Sequence, residues 1–201
     1  MRLAKLVHPI DGLIKQKKLR RFKTQSLFPE ENSLIQQVAQ ILLDLGGRMT
    51  YFKMTKLMYL IDFFALNKFG HTIVNDIYLR QVDGPWPPKL DKMLKKMEGY
   101  EIVRYFVHKI PMVAHGPSRR FKVQLDDKIL ETIVDVYKKY GDLGNSEIKT
   151  IVYRTEPMQF ILQEEKKGKD MRNKPVLYKD KTIIQLKTSP PSRIQKSTEI
   201  E

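Results

Sequence analysis

The sequence predicts a mainly α fold with a small β-hairpin (α+β): a compact helical domain, partly winged-helix-like, carrying basic terminal extensions. Apolar residues recur at helical spacing through most of 30–165. After Gly99 that pattern gives way to two β-rich stretches. Finally, the charge excess is concentrated at the two ends and leaves the middle nearly balanced. These observations divide the chain into a basic arm at 1–27, a helical domain at 28–165 with its hairpin at about 101–125, and an extension at 166–201 whose last part has a disordered composition.

The elements follow in order. Leu34, Ile35, Val38, Ile41, Leu42 and Leu45 lie on one face of a helix that Gly46 and Gly47 end. Thr50 reads as the N-cap of a second helix, Tyr51 to about Phe69. Met54, Leu57, Leu60, Ile61 and Phe64 make one of its stripes, and Met58, Phe63 and Leu66 make another. A helix apolar around so much of its circumference belongs at the centre of the domain. Gly70 stops it, and residues 72–82 lack sustained periodicity and read as an extended or irregular connection.

Asp83-Gly84-Pro85-Trp86-Pro87-Pro88 predicts a stiff turn, because each proline restrains its own φ and the residue before it. Pro88 suits the first turn of a helix with Leu90, Met93, Leu94 and Met97 inside and Lys89, Lys92, Lys95 and Lys96 outside. The hairpin is expected from Ile102–His108 and Arg119–Leu125, joined by a long loop. Asp126 caps the next helix, Ser146 opens a shorter one, and Pro157 opens or breaks another. Beyond Lys166, residues 176–186 have strand character around Asp180.

Composition excludes several functions. The 201 residues include no cysteine, which rules out disulfides, thiolate catalysis and cysteine-held metals. The four histidines are scattered, and no nucleophile–base pattern or glycine-rich phosphate loop occurs. The reading therefore assigns no catalytic residue, metal or cofactor. No apolar run is long enough to span a bilayer, so a cytoplasmic protein without membrane contact is expected. The net charge of +14 first suggests a nucleic-acid binder, but residues 1–26 carry +7 and 163–201 carry +4, against +3 for 27–162. The charge thus points any nucleic-acid contact to the termini rather than to the domain, and a solvated or partner-facing arm fits it equally.

Asp62 is a carboxylate within the most apolar helix. Burial without partners would be costly, so it reads as a hydrogen-bonded anchor in preference to a catalytic acid.

One stretch carries a longer pattern: Lys56-Leu57-Met58-Tyr59-Leu60-Ile61-Asp62-Phe63, then Gly70, Ile73 and Tyr78, then Gly84-Pro85-Trp86-Pro87, then Leu90. In order and spacing this resembles the Panacea domain, the SocA-like or GepA-like antitoxin family with phage-associated members. Trp86 stands where the family turn usually has Val. The resemblance implies a non-enzymatic antitoxin that neutralises a cognate toxin by binding it, in some members as an adaptor to a cellular protease. It also implies a structural role for Lys56, Leu57, Tyr59, Asp62, Gly70, Tyr78, Gly84, Pro85 and Pro87. Trp86, Arg119, Arg120 and Lys122 are the candidate partner-binding residues. The alternative is a nucleic-acid-binding regulator with the hairpin as a wing and the basic ends as arms.

Overall fold

The computed structural model describes residues 34–74, 76–99, 101–117 and 125–176. The basic arm, Arg119, Arg120, Lys122 and the stretch from 177 onward lie outside the described residues.

Helix α1 (Leu34–Gly46) leads through the three-residue strand β1 (Arg48–Thr50) into α2 (Tyr51–Phe69). Thr50 caps α2, its hydroxyl accepting from the Lys53 amide at 3.0 Å, and Gly70 closes it at φ 75°. Every residue from Met54 to Asp62 is buried. Around α2 pack α1, α4 (Asp127–Tyr140) and α5 (Asn145–Tyr153), so its wide apolar circumference has helices to meet on several sides.

Residues 70–74 and 76–78 are irregular, as the broken periodicity predicts. A tight hairpin follows, β2 (Leu79–Gln81) against β3 (Gly84–Trp86), and the chain enters α3 (Pro88–Met97) at a proline. Helix α4 is capped by Asp126, α5 begins at Asn145 rather than Ser146 and is capped by Gly144, and α6 (Glu156–Lys166) has Pro157 in its first turn. Residues 167–176, beyond α6, stay packed on the domain. Arg80 and Tyr78 exchange backbone bonds with Asn173, Lys174 and Val176, and Val176 is buried. The packed unit therefore reaches Val176, past the expected boundary at 165.

The main hairpin also differs from expectation. Its strands are β4 (Ile102–Val107) and β5 (Ile110–His115), joined by a two-residue turn rather than a long loop. The strand that returns along β4 is therefore Ile110–His115, earlier in the chain than the expected 119–125, most of which falls among residues 118–124, outside the described residues. The turn is His108-Lys109, with φ of 47° and 66°. Two-residue hairpins need such positive φ values and normally announce them with Asn or Gly, so this turn left no sequence signal. Pro111 was the second disguise. It sits opposite Phe106, one step beyond the last β1 pair (Thr50 with Met112), where its missing N–H removes nothing from the β1 ladder. The sheet order is β1-β5-β4, all antiparallel, with Ile102, Met49 and Val113 turned into the core.

Candidate functional site

The polar side chains buried in and around α2 hold backbone. Asp62, fully buried, accepts from the amides of Ile73 and Val74, both at 2.7 Å, and from the Tyr78 hydroxyl at 2.8 Å. A single carboxylate thus ties three points of the irregular 70–78 segment to α2. Asp76 continues the chain of anchors, accepting from the amides of Ile77 (2.7 Å) and Lys89 (3.1 Å), the latter at the N-terminus of α3. Tyr59 shares a hydrogen bond of 2.8 Å with Thr155, fastening α2 to the start of α6. Lys56 donates to the carbonyl of Pro85 at 2.9 Å and lies over the Phe52 ring.

Gly84 is required twice. Its φ is 93°, and a Cβ there would lie 2.9 Å from Cε2 of Tyr153. Tyr153 closes over the β2–β3 hairpin, accepting from Arg80 at 3.2 Å and donating to Val82 O at 3.2 Å. Arg80 in turn makes a paired contact with Glu165 at 2.9 and 3.1 Å, which links the hairpin to α6. Trp86, half-buried, donates its indole N–H to the Tyr51 hydroxyl at 2.9 Å. Burial raises the Tyr51 pKa, and Asp91 and Arg104 are among its charged neighbours, which brings the Trp86 turn close to the base of β4.

The run from α2 through the anchored loop and glycine turn to α3, and on through the β4–β5 hairpin, α4 and α5, is matched by the model of the family described as antitoxin SocA-like, Panacea domain, over residues 54–157. The chain belongs to this family. No curated protein and no solved structure matches the chain. The Panacea match begins within the most deeply buried helix and ends at the first turn of α6.

Within this Panacea domain the structure brings Lys56, Tyr59, Asp62, Tyr78, Gly84 and Pro85 into one connected scaffold, while Leu57 is an apolar core residue and Gly70 ends α2. Pro87 precedes α3 in extended conformation. Sequence reasoning placed Asp76 in a polar turn without its anchoring of α3, and missed the Arg80–Glu165–Tyr153 network. Asp76 lies in an aperiodic stretch, and its distance of 13 residues from Lys89 in the chain matches no local cap motif. Glu165 lies 85 residues from Arg80.

Burial sets the two charged motif residues against their solvents. It pushes the Asp62 carboxyl up to about 7 despite its three donors. It pulls the Lys56 ammonium down to about 7, with Asp83 opposing and Lys149 and Arg80 assisting. Between roughly pH 4 and 7 folded Asp62 holds a proton that the unfolded chain releases, so its contribution to stability falls as pH rises. Between about pH 7 and 10 the unfolded chain holds a Lys56 proton that the fold releases, so stability rises with pH. Together they place a trough near neutrality. In urea titrations, wild type is expected to lose stability relative to Asp62→Asn between about pH 5 and 7, and to gain relative to Lys56→Met above about pH 8. Parallel pH profiles for all three proteins would refute both assignments.

Proposed function

We propose that this protein is a cytoplasmic antitoxin that binds a cognate toxin and masks its active surface, with no chemistry of its own. Membership of the antitoxin family over 54–157 carries this reading. The scaffold supports it: Asp62 and Lys56 tie Ile73, Val74, Tyr78 and Pro85 to α2, and a preordered surface loses little entropy on binding. Trp86 is the proposed anchor at the turn, since its ring is half-buried and its N–H already satisfied by Tyr51. Arg119, Arg120 and Lys122 are proposed to meet an acidic toxin surface.

The test is co-expression with the product of the neighbouring gene. Growth arrest by that product alone, relieved by this protein, is expected. A harmless product, or toxicity that persists beside the folded protein, would sink the reading. Toxin abundance separates masking from delivery to a protease: a constant level indicates masking, a falling one the adaptor form. Trp86→Ala is expected to weaken toxin binding by about 2 kcal/mol while the protein stays folded, measured by titration calorimetry. Unchanged affinity would remove Trp86 from the interface.

A further inference from the structure

An antiparallel sheet packed on one face normally alternates apolar residues inward and polar residues outward. The β1-β5-β4 sheet breaks that rule on its outer face. Met49, Val113 and Ile102 point into the core, so the register turns the opposed pairs Val103–Ala114, Tyr105–Met112 and Val107–Ile110 to the other side. These six side chains, from two adjacent strands, form a continuous apolar strip. None of them is buried, and Val107 and Ile110 at its far end are 40% and 47% exposed. Such a patch on a folded domain marks a contact surface.

Charge decides the occupant. No residue of β1, β4 or β5 is acidic. Arg48, opposite Ala114, is exposed on the same face, and the exposed turn residues His108 and Lys109 edge its far end. A second copy would bring cation against cation. The chain's own ends outside the packed unit carry +7 at 1–26 and +2 at 177–201, so they are repelled in the same way. A phosphate backbone would find aliphatic and aromatic side chains rather than cations across most of the strip. We propose that this outer sheet face is where the toxin docks, through an apolar patch rimmed by carboxylates. The inference rests on the antitoxin reading and adds the surface and the partner's chemistry. Tyr105, in the middle pair, is the expected anchor.

The experiment uses the full chain and the neighbouring gene product. Tyr105→Thr, Ile110→Thr and Met112→Thr together replace three of the six strip side chains, both members of the middle pair among them, while keeping residues suited to strands. With unchanged circular dichroism and melting temperature, this variant is expected to bind the toxin at least about 30-fold more weakly and to lose neutralisation. Should the triple variant misfold, Lys109→Glu at the exposed turn serves instead. It is expected to weaken binding about 10-fold at low salt and less at high salt.

Wild type that does not bind refutes the antitoxin reading itself. Wild type that binds beside a folded variant that binds equally well overturns this inference alone. So does a dimer of the free protein that the triple variant dissociates, or loss of hydrogen-exchange protection on β4 and β5 when residues 1–33 are removed. DNA or RNA binding abolished by the triple variant would equally overturn it in favour of a nucleic-acid surface.

Discussion

Asp62→Ala is expected to destabilise the protein by about 4 kcal/mol, a large share of the roughly 5–15 kcal/mol that holds a domain together. The substitution leaves two buried amides, Ile73 and Val74, and the Tyr78 hydroxyl without their acceptor. Each orphaned donor costs about 1–3 kcal/mol, and the vacated volume adds to that. Asp62→Asn keeps the shape and one oxygen acceptor, so it is expected to cost only about 1 kcal/mol. Urea unfolding separates the two. Hydrogen exchange at Ile73 and Val74 should accelerate in Asp62→Ala well before exchange in α1 does. A loss below about 1 kcal/mol for Asp62→Ala would show that these donors find water or other acceptors.

Gly84→Val is the second large effect, expected at about 3 kcal/mol. A β-branched residue would be forced to φ near 93°, and its Cβ would press on the Tyr153 ring from 2.9 Å. Left-handed strain costs about 1–2 kcal/mol and overpacking about 1–3 kcal/mol. Tyr153 cannot retreat without disturbing its contacts with Arg80 and Val82, so part of the damage should reach the β2–β3 hairpin. Gly70→Ala provides the control. It has a similar φ of 75° but open space around the added Cβ, and about 1 kcal/mol is expected. Equal melting temperatures for the two variants would refute the close approach to Tyr153.

Helices were legible because their signals are local. The predicted range of α2 matches the observed Tyr51–Phe69, and the caps at Thr50 and Asp126 depend on amides two or three residues away. The anchoring role of Asp62 was also legible, because a lone carboxylate in an apolar helix must find donors. Its particular donors were not, since they come from an aperiodic stretch 11 to 16 residues further on.

The sheet was least legible. Three-residue β1 is too short to show alternation, and its pairing partners lie more than 60 positions away. The return strand of the hairpin was hidden by a turn of His and Lys and by Pro111 in β5. Trp86 shows the same limit at one residue: prolines on both sides indicated a stiff turn, but only the Tyr51 hydroxyl 35 positions away settles where its indole N–H points.

By itself, then, the sequence determined the helices, their caps, the central place of α2, the charge carried by the two ends and the motif of the antitoxin family. Only the tertiary structure decided which strands pair, how far the domain reaches toward Val176, what holds Asp62, and which sheet face the described residues leave uncovered. The physical reason is the range of the interactions. Periodicity and capping act within a few residues, whereas strand register, buried hydrogen bonds and exposed faces depend on residues that meet only after the chain has folded.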